Sequence, residues 1–594
     1  MNILLTAINA KYIHSNLAVY SLRACAGEYR DAVELAEYTI NNQKDYILEE
    51  LYKRKPDVLC FSCYIWNIDY VTDIAREYKK LCPSVPIWVG GPEVSYEVEA
   101  FLRENPYIDG VMIGEGEDTF RELCGYYAHK RKLSDIAGIA FRKNSTGNST
   151  SVNNIGGNKA GEIVFTSPRP IKNMSEIPFC YDTLDDFSNR IIYYESSRGC
   201  PFSCSYCLSS VDKTLRFRDT EIVKRELKFF IDQKVPQIKF VDRTFNCNHA
   251  HAMELWRFIK ANDNGVTNFH FEISADLLNQ EELELISDMR PGLIQLEIGV
   301  QSTNEVTIKE IHRTMKLERL KEVVRLIQSG NNIHEHLDLI AGLPYEDYDS
   351  FGRSFDEIYE LKPNQLQLGF LKVLKGSYMF EHAAEYGIVY HDKPPYEVMS
   401  TKWLSFDDVI KIKRVEEMLE VYYNSGQFEI TMKLMECIFD SAFEFFQELG
   451  DFYEANGYFG MSHSRIRRCE ILLEFLALYL HGCDSDDMAS VGLSGNAGDR
   501  DNTDFDENAQ IYSMIQESLI FDLYYRENCK SRPRWATDIG KFKHMTHAYC
   551  KNGKLSHVEP FHYIFPDKHT RKLDELPKYH KEPVWALFHY DMRD

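Results

Sequence analysis

Two stretches of this 594-residue chain repeat one alternation: a short apolar run, then a segment with helical spacing. That alternation restricts the fold to helices layered on parallel sheets. In the first stretch the strand-like runs are 1–7, 31–38, 57–62, 85–91 and 110–114. Segments 16–29, 44–53, 68–81, 94–105 and 117–131 carry the helical spacing. The pattern predicts a doubly wound parallel sheet, which binds ligands beyond the carboxyl ends of its strands. Those ends fall at 8–15, 62–67, 90–95 and 114–117. No GxGxxG follows the first strand, which argues against a dinucleotide. Cys60 and Cys63 form a CxxC, but Cys60 lies inside a strand and reads as a buried thiol.

The second stretch places strands at 191–196, 237–241, 268–273, 293–299, 334–341 and 365–371. Helices are expected at 220–233, 247–261, 280–289, 304–311 and 317–329. Six such units predict a partial (β/α)6 barrel with its chemistry at the mouth. The loop after the first of these strands reads Ser197-Arg198-Gly199-Cys200-Pro201-Phe202-Ser203-Cys204-Ser205-Tyr206-Cys207. Thiols at this CxxxCxxC spacing can hold three irons of a four-iron cluster and leave the fourth open to a ligand. A structural zinc site wants four ligands, often as two CxxC pairs, and no second pair follows. Cys247 stands alone further on. A disulfide framework suits small secreted chains.

The length implies several domains: a sheet domain over 1–140, a linker over 141–185, the barrel over 186–375 and a mainly helical part over 376–594. The linker has an Asn/Ser/Thr/Gly-rich run at 144–161, and an acidic insert near 484–507 reads as an exposed or disordered loop. A net charge of −23 disfavours broad docking on nucleic acid. No apolar run is long enough to span a bilayer, the first residues do not read as a signal peptide, and scattered cysteines fit a reducing cytoplasm.

The Arg-Gly before Cys200 and the aromatic Tyr206 before Cys207 make the loop resemble that of the radical S-adenosylmethionine (SAM) superfamily. Later segments strengthen the likeness. Phe240-Val241-Asp242-Arg243 resembles the second-strand end, Phe271-Glu272-Ile273-Ser274 the third-strand acid, Glu297-Ile298-Gly299-Val300-Gln301-Ser302 the Gly-Val-Gln-Ser signature, and Asp338 through Gly342-Leu343-Pro344 the Gly-Leu-Pro motif. Read from the residues alone, Asp242 could instead cap a helix and Glu297 could pair with a lysine. The resemblance implies a [4Fe-4S] cluster on Cys200, Cys204 and Cys207, and SAM contacts at Asp242, Glu272, Glu297, Gln301, Asp338 and Gly342. The preceding sheet domain is similar to the cobalamin-binding domain of cobalamin-dependent members. Its Val89-Gly90-Gly91-Pro92-Glu93-Val94-Ser95 run and Gly114-Glu115-Gly116-Glu117 carry that likeness. It implies cobalamin contacts at Ser62, Gly90, Gly91, Glu93, Gly114, Glu115 and Gly116. The DxHxxG lower-ligand signature is missing: around His14, Tyr12 stands for the Asp and Leu17 for the Gly. The expectation is therefore that no histidine ligates cobalt from below.

The resemblance implies reductive cleavage of SAM by a low-potential donor such as flavodoxin or ferredoxin. Methylation of an unactivated carbon in a small molecule is the commonest outcome; rearrangement and ring closure also occur in this branch. No catalytic residue is identified. RNA or protein modification ranks lower, because the chain shows clearly neither the extra cluster cysteines nor the basic RNA-binding tail of methylthiolating relatives. A cobalamin or redox sensor ranks lower still. After residue 375, helices are expected at 406–423, 427–448, 464–481 and 510–526, and the runs 561–565 and 584–588 could pair as strands. The basic run 541–543 and scattered tail histidines lack metal-ligand spacing.

Overall fold

The computed structural model describes residues 1–143, 162–187, 189–481, 507–527, 529, 532–536, 539–540, 556–566, 570, 572–573 and 575–590. The 144–161 run, the acidic insert to residue 506, the 541–543 run and His544, His547 and His569 lie outside them. The chain divides into two compact units, Met1–Glu346 with Gly369–Trp403, and Asp347–Leu368 with Leu404–Asp594.

The first unit opens on a seven-stranded sheet. Its strands, in chain order, are Ile3–Asn9, Val33–Thr39, Val58–Ser62, Ile87–Gly90, Gly110–Met112, Ile139–Arg142 and Ile163–Phe165. Spatially the order is second, first, third, fourth, fifth, sixth, seventh. The first five are parallel. Every residue of Ile3–Asn9 is buried, as a parallel strand covered on both faces requires. Side-chain alternation sends Leu4, Ile8, Leu59 and Phe61 into one core layer and Ile3, Leu5, Ala7, Val58 and Cys60 into the other. Cys63 belongs to the first of these layers and Cys60 to the second, so the CxxC thiols are buried on opposite faces. The helix Ile68–Leu81 has the bounds its spacing predicts and buries Val71, Ile74, Ala75 and Tyr78. The expected 16–29 helix stops at Cys25, and left-handed Gly27 opens a 3-10 turn instead. The last two strands pair antiparallel, so the segment read as a linker also adds to the sheet. Ile163–Phe165 is a short, incompletely buried edge strand, which is why its pattern is weak.

The second sheet has six strands in consecutive order, Ile192–Tyr194, Gln237–Phe240, Asn268–Ile273, Ile294–Gln301, His334–Ala341 and Gln365–Phe370. The first five run parallel. Phe240, Phe271 and Phe245 pack against one another in tilted and edge-on contacts, and Phe245 and Phe271 also meet Trp256. The opposite faces carry Lys239, Glu297, His336 and Asp338, an unusually polar interior. Among the described residues no helix is long and apolar enough to cross a membrane.

The second unit contains the helices Tyr348–Tyr359, Phe406–Leu419, Glu429–Ile438, Ala442–Ala455, Arg465–His481 and Glu507–Arg526. The single helix expected at 427–448 is two helices. Ser441 accepts the Glu444 amide and starts the second one, a local side-chain cap overriding a continuous apolar pattern. Ser556–Tyr563 and Tyr579–His589 pair antiparallel, as the alternating runs in the tail suggest.

Candidate functional site

The carboxyl ends of the sheet strands and the mouth of the barrel open onto one cavity of about 750 Å³ inside the first unit. Ser62, Gly90, Gly91, Gly114, Glu115 and Gly116 line it from the sheet side. Tyr193, Glu195, Arg198, Val241 and Arg243 line it from the barrel side. Glu93 does not; it accepts a hydrogen bond from Tyr396 beside the cavity wall. Gly114 sits at φ +74°, and a Cβ placed there would meet nothing within 4 Å. That open cradle on the sheet side suits a large, flat ligand in close approach to backbone.

The cysteine loop is positioned by a two-residue antiparallel pairing of Ser197–Arg198 with Arg216–Phe217. Gly199 follows at φ +92°, where a Cβ would lie 2.5 Å from the Thr214 carbonyl oxygen. This is a physical reason for the glycine before Cys200. Cys200 and Cys204 are buried and Cys207 half-buried. Burial pushes the Cys200 thiol up, and the neighbouring charges of Cys207 and Cys204 push the same way. Cys200 thus stands close enough to Cys204 and Cys207 to feel both, as ligands of one shared cluster must. Among the described residues no three His, Cys, Asp or Glu side chains are disposed around a single metal ion. A four-iron cluster, by contrast, spreads its thiolates over separate irons, so the residues fit that group.

Salt bridges tie this loop to the glycine loop of the sheet. Arg198 reaches Glu117 at 2.9 Å, Glu195 at 2.7 Å and Glu115 at 3.2 Å, and Arg216 reaches Glu115 at 2.5 Å. Burial pushes the Glu115 carboxyl up, but the two arginines outweigh it and leave the group below the usual carboxylate range. Asp242 is fully buried; Ser196 donates to it from its amide at 2.9 Å and its hydroxyl at 2.5 Å, and the Ser197 hydroxyl at 2.6 Å. Burial raises it to about 7. It caps no helix, and its oxygens hold the strand that enters the cysteine loop.

Inside the barrel, Glu297 accepts from Lys239 at 2.9 Å and lies 2.9 Å from His270 Nε2. Burial alone would raise Glu297, yet these partners hold it well below the usual carboxylate range. Lysine pairing at this position, one of the two alternatives left open by the residues, is thus realised. Glu272 pairs with Arg243. Asp338 is pushed far up by burial and by the charges of Glu297 and Glu272. Its Oδ1 has no hydrogen-bond partner, although His336 Nε2 lies 3.2 Å away. Gln301 Oε1 is likewise buried without a partner. Gly342, at φ +88°, lies against Val398. Orphaned buried acceptors are costly, and these two would be satisfied by a polar cofactor such as SAM.

Sequence reasoning passed over Arg313. Its guanidinium lies 3.8 Å from Cys204 Sγ, donates to Tyr206 Oη at 3.3 Å and also donates to the Gly299 carbonyl. It connects the cysteine loop to the Gly-Val-Gln-Ser strand. The one available signal was its position, a dozen residues beyond that strand. Arg198 and Arg216 were also passed over as site residues; their partners on the sheet side, Glu117 and Glu115, come from more than 80 residues away.

Residues 3–124 match the family model for the B12 binding domain, and residues 194–358 that for the Radical SAM superfamily. Residues 384–592 match a protein of unknown function, DUF4080. The cobalamin-dependent radical SAM methyltransferase TokK of Streptomyces tokunonensis is 27% identical over 360 residues, 57% of this chain and 49% of its own. The 2-(S-pantetheinyl)-carbapenam-3-carboxylate methyltransferase of Streptantibioticus cattleyicolor is 27% identical over 322 residues, 51% of this chain and 45% of its own. The chain thus spans about half the length of these two relatives. The solved structure of the cobalamin-dependent SAM radical enzyme OxsB superposes with a TM-score of 0.55 at 14% identity, covering 90% of this chain and 82% of that one. At that identity the likeness concerns the fold.

Proposed function

Because the chain is a radical SAM protein carrying an N-terminal B12-binding domain, we propose that it methylates an unactivated carbon of a small molecule with SAM, a [4Fe-4S] cluster and cobalamin. The observation that carries this reading is the shared cavity, lined on one side by the glycine loops and on the other by the flank of the cysteine loop and the barrel strand ends. When bound, the cluster and SAM supply a carbon-centred radical and cobalamin supplies a methyl carrier. In this reading Cys200, Cys204 and Cys207 hold the cluster. Arg313 places positive charge beside Cys204 and so stabilises the thiolate. Gln301 and Asp338 offer free acceptors to SAM, with Glu272, Glu297 and Gly342 shaping the same wall. Asp242 holds the loop through Ser196 and Ser197. Ser62, Gly90, Gly91, Gly114, Glu115 and Gly116 bring backbone close to the corrin, while Glu93 supports them through Tyr396.

The electron comes from a low-potential donor such as flavodoxin or ferredoxin, and the setting is a reducing compartment such as the cytoplasm. The test is anaerobic reconstitution with iron and sulfide, loading with hydroxocobalamin, then addition of SAM and a low-potential reductant. The expected result is a four-iron absorption band, retained corrin and release of 5′-deoxyadenosine. Failure to form either the cluster or 5′-deoxyadenosine overturns the reading. A rearranged but unmethylated product would move it to ring-forming chemistry.

A further inference from the structure

Resting on the radical SAM reading above, we propose that the outer face of the cysteine loop is the docking surface for a small electron-transfer protein with an acidic face. Ser203, Lys213, His312 and Tyr378 form its centre, and Lys309 and Lys316 flank it.

Access is the first argument. The inner flank of the loop faces the shared cavity through Arg198 and Asp212. A cavity of about 750 Å³ admits small molecules and no protein. Electron transfer falls off steeply with distance, so a protein donor must meet the loop from its other side. There Pro201 and Ser203, which lie between the first two cysteines, are exposed.

Construction is the second. Ser205, the residue after Cys204, is clamped by two segments. Its amide donates to the Ile311 carbonyl at 2.9 Å, and its carbonyl accepts from the Met379 amide at 2.9 Å. The chain neighbours of those two partners, His312 and Tyr378, are both exposed. Their rings meet edge to face with centroids 4.9 Å apart, and Tyr378 also stacks on His382. His312 has φ +55°, a left-handed conformation uncommon outside glycine. The turn sends consecutive side chains to opposite places: His312 is exposed, while Arg313 lies 3.8 Å from Cys204 Sγ. A surface patch of aromatic rings is thus one residue from a guanidinium that touches the thiols. Aromatic side chains are enriched in protein interfaces.

Charge is the third. Lys213 is exposed and donates to Ser203 Oγ at 2.9 Å. Lys309 and Lys316 bracket His312 and Arg313 along the chain and are exposed too. None of the three lysines forms an ion pair among the described residues. Two acids of the same segments are engaged: Glu310 accepts from Tyr386 at 2.8 Å, and Asp212 lies 3.4 Å from Arg216. Glu305 and Glu381 are the acids left exposed there. On a chain of net charge −23, three lysines without carboxylate partners around one loop are a local reversal. An acidic donor is repelled by the rest of the surface and drawn to this patch, which orients it. Redox partners of this kind bury little area and bind weakly, so a patch of this extent suffices. The step is the passage of one electron. The donor's flavin or iron–sulfur centre is oxidised by one, the cluster is reduced by one, and no bond forms or breaks.

The test uses the full chain with its cluster reconstituted anaerobically. An acidic flavodoxin and an acidic ferredoxin are the probes, and calorimetric titration reads binding without turnover. One of the two should bind, which identifies the class of donor. Its affinity should fall about tenfold as salt rises from about 50 to about 300 mM. Carbodiimide cross-linking of the unchanged chain should join the donor's carboxylates to Lys213, Lys309 or Lys316. The triple variant Lys213→Glu, Lys309→Glu, Lys316→Glu should weaken binding by more than about tenfold. Its 5′-deoxyadenosine formation with the protein donor should fall in step, while formation with titanium(III) citrate stays as in the unchanged chain. Binding of the variant as tight as that of the unchanged chain, or cross-links that fall instead on Lys572 or Lys578, overturns the proposal and leaves the radical SAM reading standing. Binding of neither probe does the same, as does cross-linking of two copies of this chain through these lysines, which assigns the face to a dimer. Should the variant lose its iron, cross-linking of the unchanged chain decides. If titanium(III) citrate yields no 5′-deoxyadenosine from the unchanged chain, the radical SAM reading fails and this proposal fails with it.

Discussion

Asp242 in the first unit and Asp522 in the second carry nearly the same environment. Both are buried and both accept three hydrogen bonds, Asp242 from Ser196 and Ser197, Asp522 from the amides of Ile430 and Thr431 and the Thr431 hydroxyl. Burial raises each to about 7. Yet Asp522 caps the first turn of Glu429–Ile438, a packing role within a helical core. Asp242 holds the strand that feeds the cysteine loop. The lesson is that a raised carboxyl marks desolvation and not chemistry. What separates the two is what each holds: Asp242 fixes the approach to a loop of three cysteines, while Asp522 fixes the start of a packed helix through two backbone amides and the Thr431 hydroxyl.

The sharpest way to break this contrast is through the thiols. Cys204→Ala should reduce reconstituted iron to background, whereas Cys63→Ala and Cys469→Ala, each at a buried thiol in an apolar core, should leave iron content unchanged. Iron loss in all three would mean that the cysteines act through folding and that the two regions do not differ.

The carboxyls give the next largest effect. Each has a folded pKa above the ordinary carboxylate value of roughly 3.9. Each therefore contributes stability that is present below about pH 4 and lost as pH rises through about 7. The upper bound is about 4 kcal/mol per site. Denaturant midpoints measured from acid to neutral pH should fall with rising pH, and Asp522→Asn should flatten the slope. Asp242→Asn should flatten it similarly but also reduce 5′-deoxyadenosine formation. A loss of that product in Asp522→Asn would contradict the division of roles.

The smallest effect is the most discriminating. Gly114 and Gly457 sit at φ +74° and +68°, and an added Cβ meets nothing within 4 Å at either. Alanine should cost each about 1–2 kcal/mol for the left-handed backbone. Only Gly114→Ala should weaken corrin uptake, read by absorbance after gel filtration. Equal uptake by both variants would remove the glycine loop from the site.

Much of this architecture was legible because the strands of parallel sheets are buried on both faces and leave dense apolar runs. Asn268–Ile273 and His334–Ala341 have the bounds their runs predict. Ile163–Phe165 escaped because a short edge strand needs few apolar residues. The cysteine loop was legible because its ligands are local in sequence. Arg313, the Arg198–Glu117 bridge and the His14–Tyr193 contact were not, since each depends on a partner brought near only by folding. Cys247 makes the same point: isolated along the chain, it lies close enough to Cys200 that burial and then the Cys200 charge push its thiol up.

The arginine bridges have a thermodynamic corollary. Glu115 and Glu117 belong to the glycine loop, while Arg198 and Arg216 flank the cysteines. Any order that one occupant imposes on its own loop is felt by the other through these ion pairs, and such coupling is reciprocal. Whatever factor the corrin adds to retention of the cluster, the cluster must return to the affinity for the corrin. Added salt should erode both together, because the same four charges carry the exchange.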